Sequence, residues 1–385
     1  LPEKGPQMNI VDFAFNYVVV FLVVLTVLVF VHEWGHYWVA RRAGVRVEVF
    51  SIGFGPELFG WNDKHGTRWK VSAIPLGGYV KMFGEGDLGW EEEDEAQPLP
   101  AEEKAVSFHH KKLWQRSAIV AAGPIANFIF AAVLVALLAG IVGTARPLAA
   151  VGQVQPGSAA ETAQLMAGDR ITAIDGEPIK WFEDLRRIVS AKPGVPLSME
   201  VVRGAETLSL KVTPETYQEE GQAAPIGLLG VRFDPSAIEY VPQDVMTSAY
   251  LGFKYVPDMV GQILGHLGEM LSGHRSAEEL GGPLRIAQLS GDIAQLGFKE
   301  LVMFMAALSV NLGLINLFPV PVLDGGRLVF YAAEGLRGRP LTPKIEEYGM
   351  RFGLALVLFL VVFVTWNDIT QMPWDRVFAW FKGLI

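Results

Sequence analysis

The sequence contains no cysteine among its 385 residues. Disulfide frameworks, thiolate zinc sites and cysteine nucleophiles are therefore excluded, and any metal ion must be held by histidine, aspartate or glutamate. Charge is also scarce, since charged residues make up 19% of the chain and hydrophobic residues 51%. This balance disfavours a soluble globular protein and indicates a membrane protein.

Basic residues are in the minority, with 32 Lys and Arg against 41 Asp and Glu, for a formal net charge of −9. We therefore expect no nucleic-acid partner. Part of the acidic charge is concentrated in Glu91–Glu95, followed by Glu102 and Glu103, and this stretch is predicted to be a solvated linker.

The first long apolar stretch, Phe13–Val31, can cross a hydrocarbon core of about 30 Å at about 1.5 Å per residue. A cleaved signal peptide would have a shorter apolar core and a small-residue cleavage site after it. His32, Glu33 and Trp34 follow instead, so a retained span is favoured.

The second and third apolar stretches contain helix breakers. Ser117–Gly143 includes Gly123-Pro124, and Leu301–Val322 includes Pro319 and Pro321. In lipid, the backbone groups freed by such breaks need partners from protein or water. Both spans are therefore predicted to line a cavity.

The fourth stretch, Phe352–Trp366, spans fully only if residues from Tyr348 onward extend it by snorkelling. Basic residues in short loops mark the cytoplasmic side of a membrane. They are concentrated between spans one and two and between spans three and four: Arg41, Arg42, Arg46, Lys111, Lys112, Arg116, Arg327, Arg337, Arg339, Lys344 and Arg351. Both termini and the segment from about 145 to 298 are therefore predicted on the outer side.

The predicted fold class is a polytopic α-helical membrane protein of about four transmembrane helices, with an inserted α+β domain and a cytoplasmic membrane-associated β-hairpin. The predicted boundaries are 8–40, 113–144, 299–322 and 348–370 for the transmembrane helices, 41–112 and 323–347 for the cytoplasmic loops, 148–236 for the inserted domain, 240–298 for an outer amphipathic helix and loop, and 371–385 for an outer tail.

Within the inserted domain, Leu197–Arg203 and Leu208–Val212 alternate in period two and predict strands, while Trp181–Ser190 is helix-like. The segments Val154–Ala160, Ala167–Ile171 and Ile174–Gly176 resemble a bacterial PDZ domain. That resemblance implies peptide binding by strand addition at a sheet edge. A steric gate that binds no peptide is the alternative.

Two further segments have predicted structure. Val245–Leu271 is compatible with an amphipathic helix, either on the outer membrane surface or packed in a soluble domain. Arg68–Ile74 alternates like a strand, and the glycines after it allow a hairpin within 68–83 that presents an edge to a substrate segment. The residues of that bend are Ile74, Pro75, Leu76, Gly77 and Gly78.

The motif His32-Glu33-Trp34-Gly35-His36 places two imidazoles four residues apart on one helix face, where they can share a zinc ion. The spacing alone is moderately specific, because a helix with two hydrogen-bonded histidines would look the same. Its position at the end of a transmembrane helix favours a functional role, because ionisable side chains are costly there.

A catalytic zinc site usually has three protein ligands and one open position. Glu48 and Glu57 lie downstream, where soluble gluzincin-type enzymes place a third ligand. Asp324 instead closes the Pro-bent third span, and the deduced topology brings it to the depth of the two histidines. Asp324 is the predicted third ligand.

Three motifs in combination, His32–His36, Gly123–Asn127 and Asn316–Gly325, resemble the site-2 protease family. Ile74–Met82 and the PDZ-like insertion resemble its bacterial branch, the regulator of sigma-E protease. The resemblance runs from Met8 to about residue 370. In one respect the chain departs from the family: the best-known Gram-negative members carry two PDZ domains, and this chain has room for one.

The resemblance implies intramembrane proteolysis in a bacterial inner membrane, with one zinc ion held by His32, His36 and Asp324 and with Glu33 as catalytic acid/base. Asn316 would contact the oxyanion or the substrate backbone, and Asn127 would contact substrate or pack in the helix. The expected substrates are single-span membrane proteins, such as a pre-cleaved anti-sigma factor or leftover signal peptides.

Two other functions predict different patterns of residues. A membrane-anchored PDZ scaffold with a vestigial metal site would be expected to lack Glu33 or Asp324, and both are present. A metal transporter would distribute ionisable groups along its spans, whereas this sequence concentrates them at one depth. Proteolysis is therefore favoured.

Overall fold

The computed structural model describes residues 14–85, 100–218, 225–274, 276 and 281–371. The chain divides into two compact units, one of Leu1–Ala136 with Ser248–Ile385 and one of Leu137–Thr247. We call them the membrane unit and the inserted unit. The predicted acidic linker at Glu91–Glu95 and the tail beyond Gln371 lie outside the described residues.

The described helices are α1 Val20–Arg42, α2 Ala101–Val106, α3 Leu113–Ile141, α4 Ala159–Thr162, α5 Phe182–Ser190, α6 Val245–Leu271, α7 Pro283–Leu296, α8 Phe298–Asn316, α9 Asp324–Arg337 and α10 Pro343–Thr370. The described strands are β1 Val47–Asn62, β2 Arg68–Met82, β3 Thr144–Pro147, β4 Val151–Val154, β5 Arg170–Ile174, β6 Glu177–Pro178, β7 Leu197–Arg203, β8 Glu206–Val212, β9 Glu215–Tyr217, β10 Ile226–Leu228, β11 Val231–Phe233 and β12 Ile238–Val241.

Four of the described helical segments are long and apolar enough to cross a bilayer: Tyr17–Arg42, Leu113–Ile141, Phe298–Asn316 and Pro343–Thr370. The first of them includes the end of a π-helical turn at Ala14–Val19 that leads into α1. The predicted architecture of about four membrane helices with an inserted domain is confirmed at this level.

The third membrane helix is shorter than its apolar stretch. α8 ends at Asn316, although the sequence predicts a span to residue 322. Pro319 and Pro321 have no amide hydrogen to continue the helical ladder, so the chain turns instead. A new helix, α9, then begins at Asp324, where the sequence indicated a loop. The start of α9 packs closely against the turn that follows α8. A glycine is required there, because a Cβ at Gly325 would lie 2.2 Å from the backbone oxygen of Leu317.

Helix α3 continues through Pro124, so the sequence overestimated the break at this position. α1 and α3 approach each other closely around Gly35, where a Cβ would lie 2.3 Å from the backbone oxygen of Ala122. The small side chains at this crossing bring the backbone of α3 against the histidine-bearing part of α1.

Helix α6 has the predicted bounds, Val245–Leu271. It packs on two of the membrane helices: Tyr255, Val256, Met259, Val260 and Ile263 lie against a buried cluster of Ala131, Ala306 and Val310. Its middle part therefore packs against α3 and α8.

Helix α7 is fixed at its start by α10. The carboxylate of Asp368, which is buried, accepts hydrogen bonds from the backbone nitrogens of Gly282, Leu284 and Arg285 at 2.8, 3.0 and 3.2 Å. These are amides that the first turn of a helix leaves without an intrahelical partner. Further along, Asp292 accepts from the hydroxyl of Tyr17 at 2.9 Å.

Strands β1 and β2 form an antiparallel sheet whose pairing differs from the predicted hairpin. The two halves of β2, 68–71 and 78–82, do not pair with each other but lie on opposite sides of 49–52 in β1. Positive φ angles of 88° at Gly53 and 112° at Gly77 provide the bends that this arrangement requires. The segment 78–82 thus becomes an edge strand, with no further strand paired beyond it in the described chain.

The inserted unit is built around a four-stranded antiparallel sheet in the order β6-β5-β7-β8. The predicted strand at Leu197–Arg203 and the predicted helix near Trp181–Ser190 are present as β7 and α5. Asp169 is fully buried, and both of its oxygens accept from Arg203 at 2.7 Å. The core consists largely of aliphatic side chains: Val151, Ile171, Ile174, Leu185, Leu197, Met199, Val201 and Val212.

Candidate active site

Two histidines lie one helical turn apart near the end of α1. His32 and His36 are each 8% exposed, and their Nε2 atoms are 3.2 Å apart. The Nδ1 atom of His36 lies 2.9 Å from the backbone oxygen of Ile119 in α3. Because a carbonyl oxygen can only accept a hydrogen bond, Nδ1 of His36 carries the hydrogen and Nε2 keeps a free lone pair.

The start of α9 brings Asp324 to this pair. Its Oδ2 atom lies 3.1 Å from Nε2 of His32 and 3.4 Å from Nε2 of His36. Within the described part of the chain, these three residues form the group of His, Asp and Glu side chains that could hold a metal ion.

The three atoms fit a zinc ion. In a tetrahedral site with metal–ligand bonds of about 2.1 Å, two ligand atoms lie about 3.4 Å apart, close to the separations found here. Oδ2 of Asp324 is buried without a hydrogen-bond partner. Gly123 leaves the space open, because a Cβ there would lie 2.2 Å from Nε2 of His36.

The two other carboxylates considered from the sequence lie elsewhere, on β1. Glu48 pairs with Arg46 at 3.7 Å. Glu57 pairs with Arg68 of β2. Both belong to the sheet and neither is in the group with the two histidines.

Glu33 lies between the two histidines in sequence and is partly buried. The edge strand of the sheet passes beside it: a Cβ at Gly78 would lie 3.3 Å from Cγ of Glu33 and 3.0 Å from Cγ1 of Val29. The absence of a side chain at Gly78 therefore lets the edge strand approach α1 at Glu33.

The remaining residues of the predicted hairpin bend contribute differently. Pro75 lines an open apolar groove of about 310 Å³ at the start of α1, whose other lining residues are Val19, Leu22, Val23, Thr26 and Val27. Ile74 pairs with Phe54 of β1, and the ring of Phe54 also lies against Gly77. Leu76 is part of β2.

The two asparagines of the predicted site occupy different environments. Asn127 is fully buried, and its Nδ2 atom lies 3.2 Å from Nδ1 of His32. Asn316 is at the end of α8, where its Nδ2 atom donates to the backbone oxygen of Leu312 at 3.0 Å.

Sequence reasoning missed the ion pairs that anchor α9. Arg327, one turn after Asp324, pairs with Glu85 at 2.5 Å, and Arg116 of α3 pairs with Glu334 at 2.8 Å. Burial raises the pKa of the neighbouring Tyr331 to about 12, so its hydroxyl stays neutral. The only sequence signal was the basic character of Arg116 and Arg327, which indicated topology but no partner.

The chain is similar to known metalloproteases along nearly its whole length. The model of peptidase family M50 matches residues 20–360. A protein of Agrobacterium fabrum that carries the name zinc metalloprotease is 45% identical, over 95% of this chain and 98% of its own. Metalloprotease MmpA of Caulobacter vibrioides is 35% identical, over 94% and 97%. Regulator of sigma-E protease RseP of Salmonella typhimurium is 33% identical, over 91% and 98%.

Proposed function

The chain belongs to peptidase family M50, the site-2 proteases, and from this premise we propose that His32, His36 and Asp324 hold its catalytic zinc ion. It is a multi-pass zinc metalloprotease that cleaves membrane-embedded protein substrates within the bilayer. The observation that carries the ligand assignment is the convergence of three buried ligand atoms, 3.1 to 3.4 Å apart.

A zinc ion held by His32, His36 and Asp324 would supply a Lewis acid that could polarise the peptide carbonyl and favour ionisation of water near neutral pH. Glu33 accepts the proton of the attacking water and delivers it to the leaving amide nitrogen. Its position one residue after His32 supports this role, since it is on the same turn as the ligands but outside the three-residue group. Burial of the ligand atoms at a helix crossing limits the access of bulk water to them.

Asn316 is the proposed contact to the reacting peptide. Its amide nitrogen is engaged within its own helix by the carbonyl of Leu312. That nitrogen carries a second hydrogen, which it can donate to an oxyanion or to a substrate carbonyl while the bond to Leu312 is kept.

The edge segment 78–82 is the proposed holder of the substrate strand. A helical substrate hides its amides in hydrogen bonds, so it must unwind locally before cleavage. A sheet edge offers unpaired amides and carbonyls to such a strand. The contact of Gly78 with Glu33 supports this role, because a strand added at this edge would run beside the proposed base.

The inserted unit is proposed to be a single PDZ domain on the outer face of a bacterial inner membrane, with both termini on the same side. The four-stranded sheet and the turn at Asp175-Gly176, where both residues have positive φ, support the domain assignment. The charge distribution of the loops supports the orientation. The proposed substrates are single-span proteins, such as a pre-cleaved anti-sigma factor or leftover signal peptides.

Size-dependent gating is the proposed task of this unit. Its connections are short: β3 starts at Thr144, soon after α3 ends at Ile141, and β12 ends at Val241, soon before α6 begins at Val245. β3 and β12 pair with each other, so the entry and exit of the unit are joined in one ladder. These short, paired connections are the support for gating. Peptide recruitment at a sheet edge is the alternative outcome.

The ligand assignment is tested by metal content. Asp324→Ala should lose zinc and peptidase activity together, because two imidazoles alone hold the ion weakly. Glu48→Ala and Glu57→Ala are matched controls, since each removes a carboxylate of the same membrane unit and should retain one zinc per chain. Full zinc occupancy in purified Asp324→Ala would move the third ligand elsewhere.

A further inference from the structure

The side chain of Asn127 is in an unusual position for a membrane helix. It lies in α3, is fully buried, and faces the imidazole of His32 at 3.2 Å. As oriented, its Nδ2 atom points at Nδ1 of His32, while its Oδ1 atom is buried without any hydrogen-bond partner. A buried polar group costs free energy unless it is paired, and most of all in a membrane span.

Rotating the amide of Asn127 by 180° exchanges its oxygen and nitrogen with almost no change of shape. In the rotated orientation Oδ1 accepts a hydrogen bond from Nδ1–H of His32, and the amide nitrogen takes the position that Oδ1 held. Nε2 of His32 then keeps its lone pair, directed at the point shared with His36 and Asp324. In the other orientation Nδ1 must accept, so Nε2 carries the hydrogen and cannot bind a metal ion.

His36 provides the internal comparison. Its Nδ1 atom donates to the backbone oxygen of Ile119, which can only accept a hydrogen bond. Because this partner is a backbone atom, no side-chain substitution of Ile119 removes it. His32 has no such backbone partner among the described hydrogen bonds; its second nitrogen faces Asn127. α3 thus supplies the outer partner of both histidines, one from its backbone and one from a side chain.

The backbone of Asn127 is itself anchored. Ser309 of α8, which is fully buried, donates its hydroxyl to the backbone oxygen of Asn127 at 2.8 Å. The carbonyl of Asn127 is therefore tied to α8 while its side chain faces α1.

We propose that Asn127 is a positioning residue that holds His32 in the tautomer whose Nε2 atom can bind zinc. The proposal rests on the ligand set proposed above. It assigns Asn127 a role other than the substrate contact that the sequence suggested. Partners of this kind orient the ligand and typically change metal affinity about 10- to 100-fold when removed.

The test measures the zinc affinity of the purified full-length protein by competition with a chelator. Asn127→Leu keeps the approximate shape but removes the acceptor, and its zinc affinity should fall about 10- to 100-fold. Asn127→Asp keeps an acceptor facing His32. Its zinc affinity should therefore be close to that of wild type. A role in packing alone predicts the opposite order, since leucine suits a buried apolar site better than a carboxylate does.

Asn367→Leu is the matched control. It makes the same chemical change in another membrane helix, α10, where the asparagine oxygen accepts at 3.0 Å from Gln371, the residue that follows the helix. Its zinc affinity should equal that of wild type. Thermal unfolding of the metal-free variants checks the fold, and if Asn127→Leu is unfolded, Asn127→Ala replaces it with the same expected loss.

Wild-type zinc affinity in Asn127→Leu, or an equal loss in Asn127→Asp, would overturn the proposal. Asp324→Ala, measured beside them, separates this inference from the ligand assignment. If Asp324→Ala loses zinc while Asn127→Leu keeps wild-type affinity, the ligand set stands and the positioning role is wrong. If Asp324→Ala also keeps its zinc, both are wrong.

Discussion

Gly123 offers a direct test of how the two helices shape the metal site. A Cβ at this position would lie 2.2 Å from Nε2 and 2.5 Å from Cε1 of His36, and 2.9 Å from Cε1 of His32. Favourable contacts between such heavy atoms begin at about 3.5 Å, so Gly123→Ala must displace the His36 ring by about 1.3 Å. Zinc sites tolerate deviations of only about 0.2 Å in their bond lengths.

We therefore expect Gly123→Ala to lose zinc and peptidase activity although it adds a single methyl group. Gly261→Ala is the matched control: it makes the same change in helix α6, where nothing lies within 4 Å of the added Cβ. Alanine favours a helix over glycine by up to about 1 kcal/mol, so the control should unfold at the same or a higher temperature and keep its zinc.

The assay is the zinc content per chain after dialysis against a chelator, together with thermal unfolding of each variant. Loss of zinc in Gly123→Ala, with zinc retained in Gly261→Ala, is the expected pair of results. One zinc per chain and wild-type turnover in Gly123→Ala would refute the idea that this glycine makes room for the ligands.

Three further outcomes follow from the fold. Although burial of Asp169 opposes its ionisation, hydrogen bonds from Arg203 and from the backbone hold its pKa below the usual value. The ionised carboxylate therefore stabilises the folded protein above about pH 4, and this stabilisation is lost as the pH falls. Asp169→Asn should therefore lower the unfolding temperature at pH 7 and flatten its decline towards pH 3. A single cysteine replacing Ser209 should react with a thiol reagent added outside the cell. A single cysteine replacing Lys64 should react only after the membrane is permeabilised, and the reverse pattern would invert the proposed topology. Deleting roughly 148–236 should extend cleavage to substrates with long outer tails, and an unchanged length dependence would argue against gating.

The three proposed ligands could be identified from the sequence because charges are so rare in the apolar stretches. Two histidines four residues apart fall on one helix face, and Asp324 is the carboxylate that closes the third apolar stretch. The structure brings these three side chains together. By contrast, the contact of Asn127 with His32 depends on how closely α1 and α3 cross, which Gly35 and Gly123 determine in three dimensions.

The errors in the predicted fold have local causes. The apolar pattern could not place the end of α8 because Leu317–Leu323 is as apolar as the helix before it, and only its prolines indicate the turn. α9 was missed because Gly325 and Gly326 at its start are poor helix formers. The sheet pairing of β2 on both sides of β1 was missed because alternation predicts a strand but not its partner.

Glu33 is proposed as the base of a zinc peptidase and not as one of its ligands. Glu33→Gln, purified at full length and reconstituted with a single-span substrate in lipid vesicles, tests it most directly when zinc content and cleavage are measured on the same sample. We predict one zinc per chain and turnover reduced by at least about 10² to 10⁴. Cleavage near the wild-type rate by the zinc-loaded Glu33→Gln variant would contradict the account.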